Sequence, residues 1–202
     1  MRVEAIAIIG AGELGRRWAY RSLRAGCRTI LEDVSLSVLE QGVAAIRAMC
    51  AGQPSRDGLD SATRPPCGES TMADKNGGRL ATARSVEEAV READLLLETV
   101  ADELEMKLEL FTIFDKFAKP RAILASTTNT VSITDLAEIT FCAERCIGMR
   151  LACDGGAERL ELLKGRWTSA ETVARCREVA LRMGLQIRLA TDGQAVVTDG
   201  IS

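Results

Sequence analysis

The sequence predicts an α/β fold, a doubly wound and mostly parallel sheet with helices on both faces. Three observations carry this. Short apolar runs such as AIAII, TIL and LLL alternate along the 202 residues with stretches of helical period. The first run ends in a glycine turn, Gly10-Ala11-Gly12-Glu13-Leu14-Gly15, that passes straight into a helical pattern. A second run, Arg28–Glu32, follows and ends at Asp33, 18 residues past the last glycine. Strand, G-x-G-x-x-G turn, helix, strand and acid together form a Rossmann-type dinucleotide-binding unit, whose acid is expected about 20 residues beyond the turn.

Each part of the turn has a physical reason. Gly10 can take backbone angles closed to other residues. Gly12 lacks a Cβ, so a pyrophosphate can sit directly on the backbone, and Gly15 lets the helix lie close to the strand. The helix start at Glu13 and Leu14 offers unpaired N–H groups and a positive dipole end to the phosphates. A carboxylate at Asp33 would bind a ribose hydroxyl and repel a 2′-phosphate, which favours NAD over NADP. Arg16 and Arg17 follow in the first helical turns. They read first as a solvated face and second as a phosphate contact, the latter against the dipole preference.

The remaining elements follow in order. Glu13–Ala25 is helical and Gly26 closes it. Ser35 caps a helix to Met49. From Ala51 to Gly78 three prolines and repeated Gly, Ser and Asp destroy any period, which predicts a flexible loop insertion. A disordered loop is the first reading and a substrate-side flap the second. Order resumes at Arg79–Thr82, and Ser85 with Glu88 has capping-box spacing. Asp94–Glu98 and Ala122–Ala125 read as short buried strands, with an amphipathic helix over Leu104–Phe117 between them. Ser132–Ile139 is a helix, Arg145–Met149 and Arg159–Leu163 are strands, Ser169 caps a helix to Arg182, and Leu185–Leu189 is the last strand. One domain over 1–190 with a tail over 191–202, and no second domain, is the expected organisation.

Composition excludes several classes. A net charge of −3 without a basic stripe, and only 3% aromatic residues, argue against a nucleic-acid surface. No apolar run approaches the ~20 residues of a membrane span, and the chain enters its first strand without a leader. Seven scattered cysteines without C-x-x-C read as reduced thiols in a cytoplasmic protein, and no metal site is expected. There is no histidine, so the commonest general base is missing.

From Glu98 onward the motifs ETVADELEMKLELF, ILASTTNTVSITDLA, ERCIGMR and RLELLKG resemble the NAD-binding domain of 3-hydroxyacyl-CoA dehydrogenases. The resemblance covers nearly the whole chain outside the 51–78 loop. It implies oxidation of the 3-hydroxyl of an acyl-CoA, a step in fatty acid metabolism, with hydride passing to NAD. It also implies that Asp33 is the ribose acid, that Asp102 and Lys107 lie on the cofactor side, and that Glu161 is the glutamate that orients a catalytic histidine.

The departures bear on activity. Ser126-Thr127-Thr128-Asn129 puts Asn129 where the family holds its substrate-binding serine, and Gly148-Met149-Arg150 puts Arg150 where it holds the catalytic histidine. Arginine stays protonated and is a poor base. Arg150 is expected either to pair with Glu161 or to hold a carboxylate or phosphate. The family's helical second domain is not found in these 202 residues, so self-association or a partner is expected near the C-terminus. Two functional readings stay open ahead of a third, a structural or interaction protein without cofactor, which the intact glycine turn and Asp33 count against. One is a dehydrogenase for a 3-hydroxyacyl-CoA or a related hydroxy acid, with Glu161, Lys107 or water as proton acceptor. The other is a non-catalytic NAD(H)-binding module, a redox sensor or inactive subunit.

Overall fold

A computed structural model describes residues 2–52, 78–154 and 157–192. The expected 51–78 loop lies almost wholly outside them, as does the tail beyond Asp192. The elements are β1 (Ala5–Ile9), α1 (Glu13–Arg24), β2 (Arg28–Glu32), α2 (Leu36–Cys50), β3 (Arg79–Thr82), α3 (Val86–Arg91), β4 (Leu95–Glu98), α4 (Leu104–Phe117), β5 (Ile123–Ser126), α5 (Ile133–Glu138), β6 (Cys146–Asp154), β7 (Ala157–Lys164), α6 (Ala170–Arg182) and β8 (Gln186–Thr191). They form one sheet in the order β3-β2-β1-β4-β5-β6-β7-β8. All neighbouring strands are parallel except β6 and β7. The order reverses between β1 and β4, the switch point where doubly wound sheets bind ligands.

Strand alternation explains the two faces. In β1, Ile6 and Ile8 point to one side, where they meet Trp18 and Leu23 of α1, Leu39 and Ile46 of α2, and Val179 of α6. Ala7 and Ile9 point to the other, where Val90 of α3, Phe111 and Phe114 of α4 and Leu136 of α5 cover them. Strands buried on both faces read as unbroken apolar runs, as β1 and β4 do.

The caps follow their sequence signals. The hydroxyls of Ser35, Ser85, Ser132 and Ser169 accept the N–H groups of Val38, Glu88, Asp135 and Thr172. The box at Ser85 is shifted by one residue, because Glu88 accepts the N–H of Arg84 at 2.8 Å. Gly26 and Gly184 close α1 and α6 at φ +78° and +73°.

Two strands are longer than the sequence suggests. Arg145–Met149 and Arg159–Leu163 are the middles of β6 and β7, which run on as one antiparallel hairpin to the Asp154–Ala157 pair. Arg150, Glu158 and Arg159 interrupt the apolar run that marks a buried strand. The last strand runs on to Thr191, and Asp192 accepts the Ser132 hydroxyl and the Thr134 N–H at 2.6 and 2.8 Å. Among the described residues no helix is long and apolar enough to cross a membrane.

Candidate functional site

The glycine turn lies at the switch point. Gly10 sits at φ +105°, and a Cβ there would meet the Thr99 hydroxyl at 2.9 Å. That hydroxyl donates to the carbonyls of Ile9 and Gly10, both at 3.0 Å, which ties β1 to the residue after β4. A Cβ on Gly15 would collide with the Gly10 carbonyl oxygen. Gly10 and Gly15 are therefore required by the fold itself. Gly12 differs, since nothing lies within 4 Å of the place its Cβ would take. It is the N-cap of α1 and no side chain caps the helix there. In the first turn Glu13 is exposed and Leu14 half-buried.

Asp33 completes this corner. Its carboxylate accepts the N–H of Ala11 at 2.8 Å and that of Ser35 at 2.9 Å, so it braces the turn from the end of β2. Each oxygen keeps a second lone pair for a ribose hydroxyl. Arg16 also holds the turn, donating to the Ala11 carbonyl at 2.9 Å. Arg17 corrects the solvated-face expectation. With Arg21 it pairs with Glu158 of β7, a largely buried carboxylate that links α1 to the β6–β7 hairpin.

Glu32, buried beside Asp33, was not singled out by the motif. Its carboxyl is raised from 4.5 to about 7 by burial first and then by the charges of Asp33 and Glu87. The folded state therefore binds this proton more tightly than the unfolded chain. The resulting stability is present below pH 4.5 and lost as pH rises through 7. Glu32→Gln is expected to melt like the wild type near pH 5 and increasingly above it toward pH 8. Parallel melting curves over that range would show that Glu32 ionises as freely as an exposed acid.

A second cluster lies across β4 and β5. Glu98 and Lys107 are both fully buried and pair at 2.7 Å. The Ser126 hydroxyl donates to the same carboxylate oxygen, and the Val100 N–H reaches the other at 3.2 Å. Lys107 also lies 3.6 Å from Asp102. Asp102 accepts the Thr128 hydroxyl at 2.5 Å, the N–H groups of Asn129 and Thr130 at 2.9 and 3.0 Å, and the Thr130 hydroxyl at 2.9 Å. Burial pushes the Asp102 carboxyl up, but these hydrogen bonds and the Lys107 ammonium hold it below its ordinary value. The cluster fixes the turn that carries the exposed Asn129. Sequence reasoning placed Lys107 and Asp102 on the cofactor side and passed over Glu98. A carboxylate ending the apolar run LLL was the available signal.

Beyond β5 the sheet offers one more pair. Ser126 pairs with Gly148, and Arg150 lies two positions further along β6, past the end of β5. Arg150 faces Glu161 across the β6–β7 ladder. Its Nε and Nη2 donate to one oxygen, Oε2, at 3.0 and 2.6 Å. Arg159 and Arg188 approach the other, Oε1, at 3.8 Å each. The pairing expected of Arg150 and Glu161 is present, and two more guanidiniums surround the same carboxylate.

The sequence pattern of the family described as 3-hydroxyacyl-CoA dehydrogenase, NAD binding domain, matches residues 5–190. The chain is 29% identical over 200 residues to a 3-hydroxybutyryl-CoA dehydrogenase of Bradyrhizobium diazoefficiens, covering 98% of this chain and 65% of that relative. It is 26% identical over 185 residues to an L-carnitine dehydrogenase of a Pseudomonas species, covering 91% of this chain and 54% of the relative. Among solved structures, a 3-hydroxybutyryl-CoA dehydrogenase from Escherichia coli superposes with a TM-score of 0.79 at 26% identity, over 95% of this chain and 39% of that one. The chain thus spans less than two thirds of the length of these relatives.

Proposed function

As this chain belongs to the 3-hydroxyacyl-CoA dehydrogenase family through its NAD-binding domain, we propose that it serves the oxidation of the 3-hydroxyl of an acyl-CoA or a related hydroxy acid. Its cofactor is NAD, which when bound accepts or returns a hydride. The observation that carries the reading is the open backbone at Gly12 over the uncapped start of α1, with Asp33 beside it.

Each residue has a part. The N–H groups at Glu13 and Leu14 would hold the pyrophosphate, Asp33 the adenosine ribose, and Asn129, exposed beyond β5, a substrate oxygen. The buried Asp102–Lys107–Glu98 cluster keeps the Asn129 turn in place. Of the three proton acceptors the sequence allows, Lys107 is enclosed against Glu98 and Glu161 is engaged by Arg150, which leaves water. The same Arg150–Glu161 pair favours a second reading, an NAD(H)-binding module without turnover. The relatives are longer, and the exposed Leu181 and Leu189 near the C-terminal end of the described chain offer apolar surface to a further domain or a partner.

Calorimetric titration tests the reading. NADH is expected to bind at micromolar concentration and NADPH far more weakly. Asp33→Ala is expected to weaken NADH about tenfold or more, the loss of a charge-assisted hydrogen bond to the ribose together with the brace on the turn. Equal affinity in the variant would remove Asp33 from the site, and binding of neither nucleotide would overturn the reading.

A further inference from the structure

We propose that Arg150 is the anchor for a free carboxylate on the substrate, so that the chain takes a small hydroxy acid as its anion. This inference rests on the NAD-binding reading above. A guanidinium has two edges able to grip a carboxylate in parallel, Nε with Nη2 and Nη1 with Nη2. Glu161 occupies the first edge and uses a single oxygen for it. Nη1 makes no hydrogen bond among the described residues, so the second edge keeps its pair of donors. The Arg150 side chain is 19% exposed, against 3% for Glu161, so the ligand reaches the arginine and not the carboxylate behind it.

Position and charge agree with this. Arg150 stands past the carboxyl ends of β4 and β5, on the edge where open α/β sheets bind ligands. Register places Arg188 next to Glu161 on the same face, and Arg159 stands two residues from Glu161 along β7. Three guanidiniums converge on this one carboxylate. Glu161 then acts as a positioning residue that locks the plane of the Arg150 fork. A substrate held by its carboxylate there would present its hydroxyl toward the Asn129 turn, the neighbouring strand end.

The test is a titration of the full chain, loaded with NADH, with 3-hydroxybutyrate and separately with its neutral amide. The acid is expected to bind at millimolar concentration and to weaken as salt rises, and the amide to bind at least tenfold less well. Arg150→Gln, and the paired change Arg150→Gln with Glu161→Gln, which also removes the carboxylate that Arg150 faces, are each expected to abolish the preference for the acid and keep NADH affinity. Arg150→Lys, which loses the bidentate edge, is expected to keep part of it. Equal binding of acid and amide, or a preference that survives both glutamine variants, overturns the proposal while NADH binding stands. Loss of NADH binding by the unaltered chain overturns the reading beneath it instead.

Discussion

Gly15→Ala is expected to destabilise the protein by about 3 kcal/mol, whereas Gly12→Ala leaves it folded and releases the cofactor. Alanine ordinarily strengthens a helix interior by up to ~1 kcal/mol over glycine. At Gly15 the added methyl runs into the Gly10 carbonyl and meets the Thr99 hydroxyl at 2.9 Å. The obstacle is backbone inside a turn that Asp33, Arg16 and Thr99 all brace, so it cannot give way. Forcing it costs about 1–3 kcal/mol or more, and for a domain of this size that lowers the melting temperature by about 10 °C. Gly12 has φ −65° and ψ −172°, which alanine adopts, and no neighbour within 4 Å. Its variant should melt within a few degrees of the wild type, since an N-cap exchange is worth about 1 kcal/mol at most. NADH affinity should nevertheless fall tenfold or more, because the methyl stands where the pyrophosphate approaches. A Gly12→Ala protein with unchanged NADH affinity would move the cofactor off this turn. A Gly15→Ala protein as stable as the wild type would show that the turn is far softer than its hydrogen bonds imply.

These two glycines also show what sequence could tell. The G-x-G-x-x-G motif assigned Gly10 to the turn, Gly12 to a pyrophosphate and Gly15 to helix–strand packing. In the structure two of the three are explained by packing, and only Gly12 is left for a ligand. Asp33 was legible by spacing, but its hold on the Ala11 and Ser35 N–H groups was not, since spacing says nothing of side-chain reach. The strand and helix order was legible because strands buried on both faces are unbroken apolar runs. The β6–β7 hairpin was half hidden because its outer residues answer to charge partners instead of a core. Glu158 is paired with Arg17 and Arg21, 141 and 137 residues earlier in the chain. Such long-range partners leave no local period. The Arg150–Glu161 pair was one of two expectations drawn from the departure at Arg150, yet Arg188 joins it only through the β7–β8 register, which no motif encodes.

Lys107→Met is expected to damage both the fold and the Asn129 turn. It would strand Glu98, fully buried, with the Ser126 hydroxyl and the Val100 N–H as its remaining donors. Breaking one side of a buried ion pair costs about 3–5 kcal/mol, because the other charge is left without its counter-ion in a medium that solvates it poorly. The melting temperature should fall by about 10 °C or more. The damage should spread from β4 to function, since Lys107 also attracts Asp102, and Asp102 holds Thr128, Asn129 and Thr130. Binding of 3-hydroxybutyrate should therefore weaken even in the molecules that stay folded. Replacing both partners, Lys107→Met with Glu98→Gln, removes the stranded charge and should recover most of the lost stability. It should not recover the anion affinity, because Asp102 is still without its cation. If the double variant melts no higher than Lys107→Met, the loss comes from packing around the lysine stem and not from an unpaired charge. If it recovers both stability and anion binding, the Asn129 turn is held by Asp102 alone and the buried pair serves only the core.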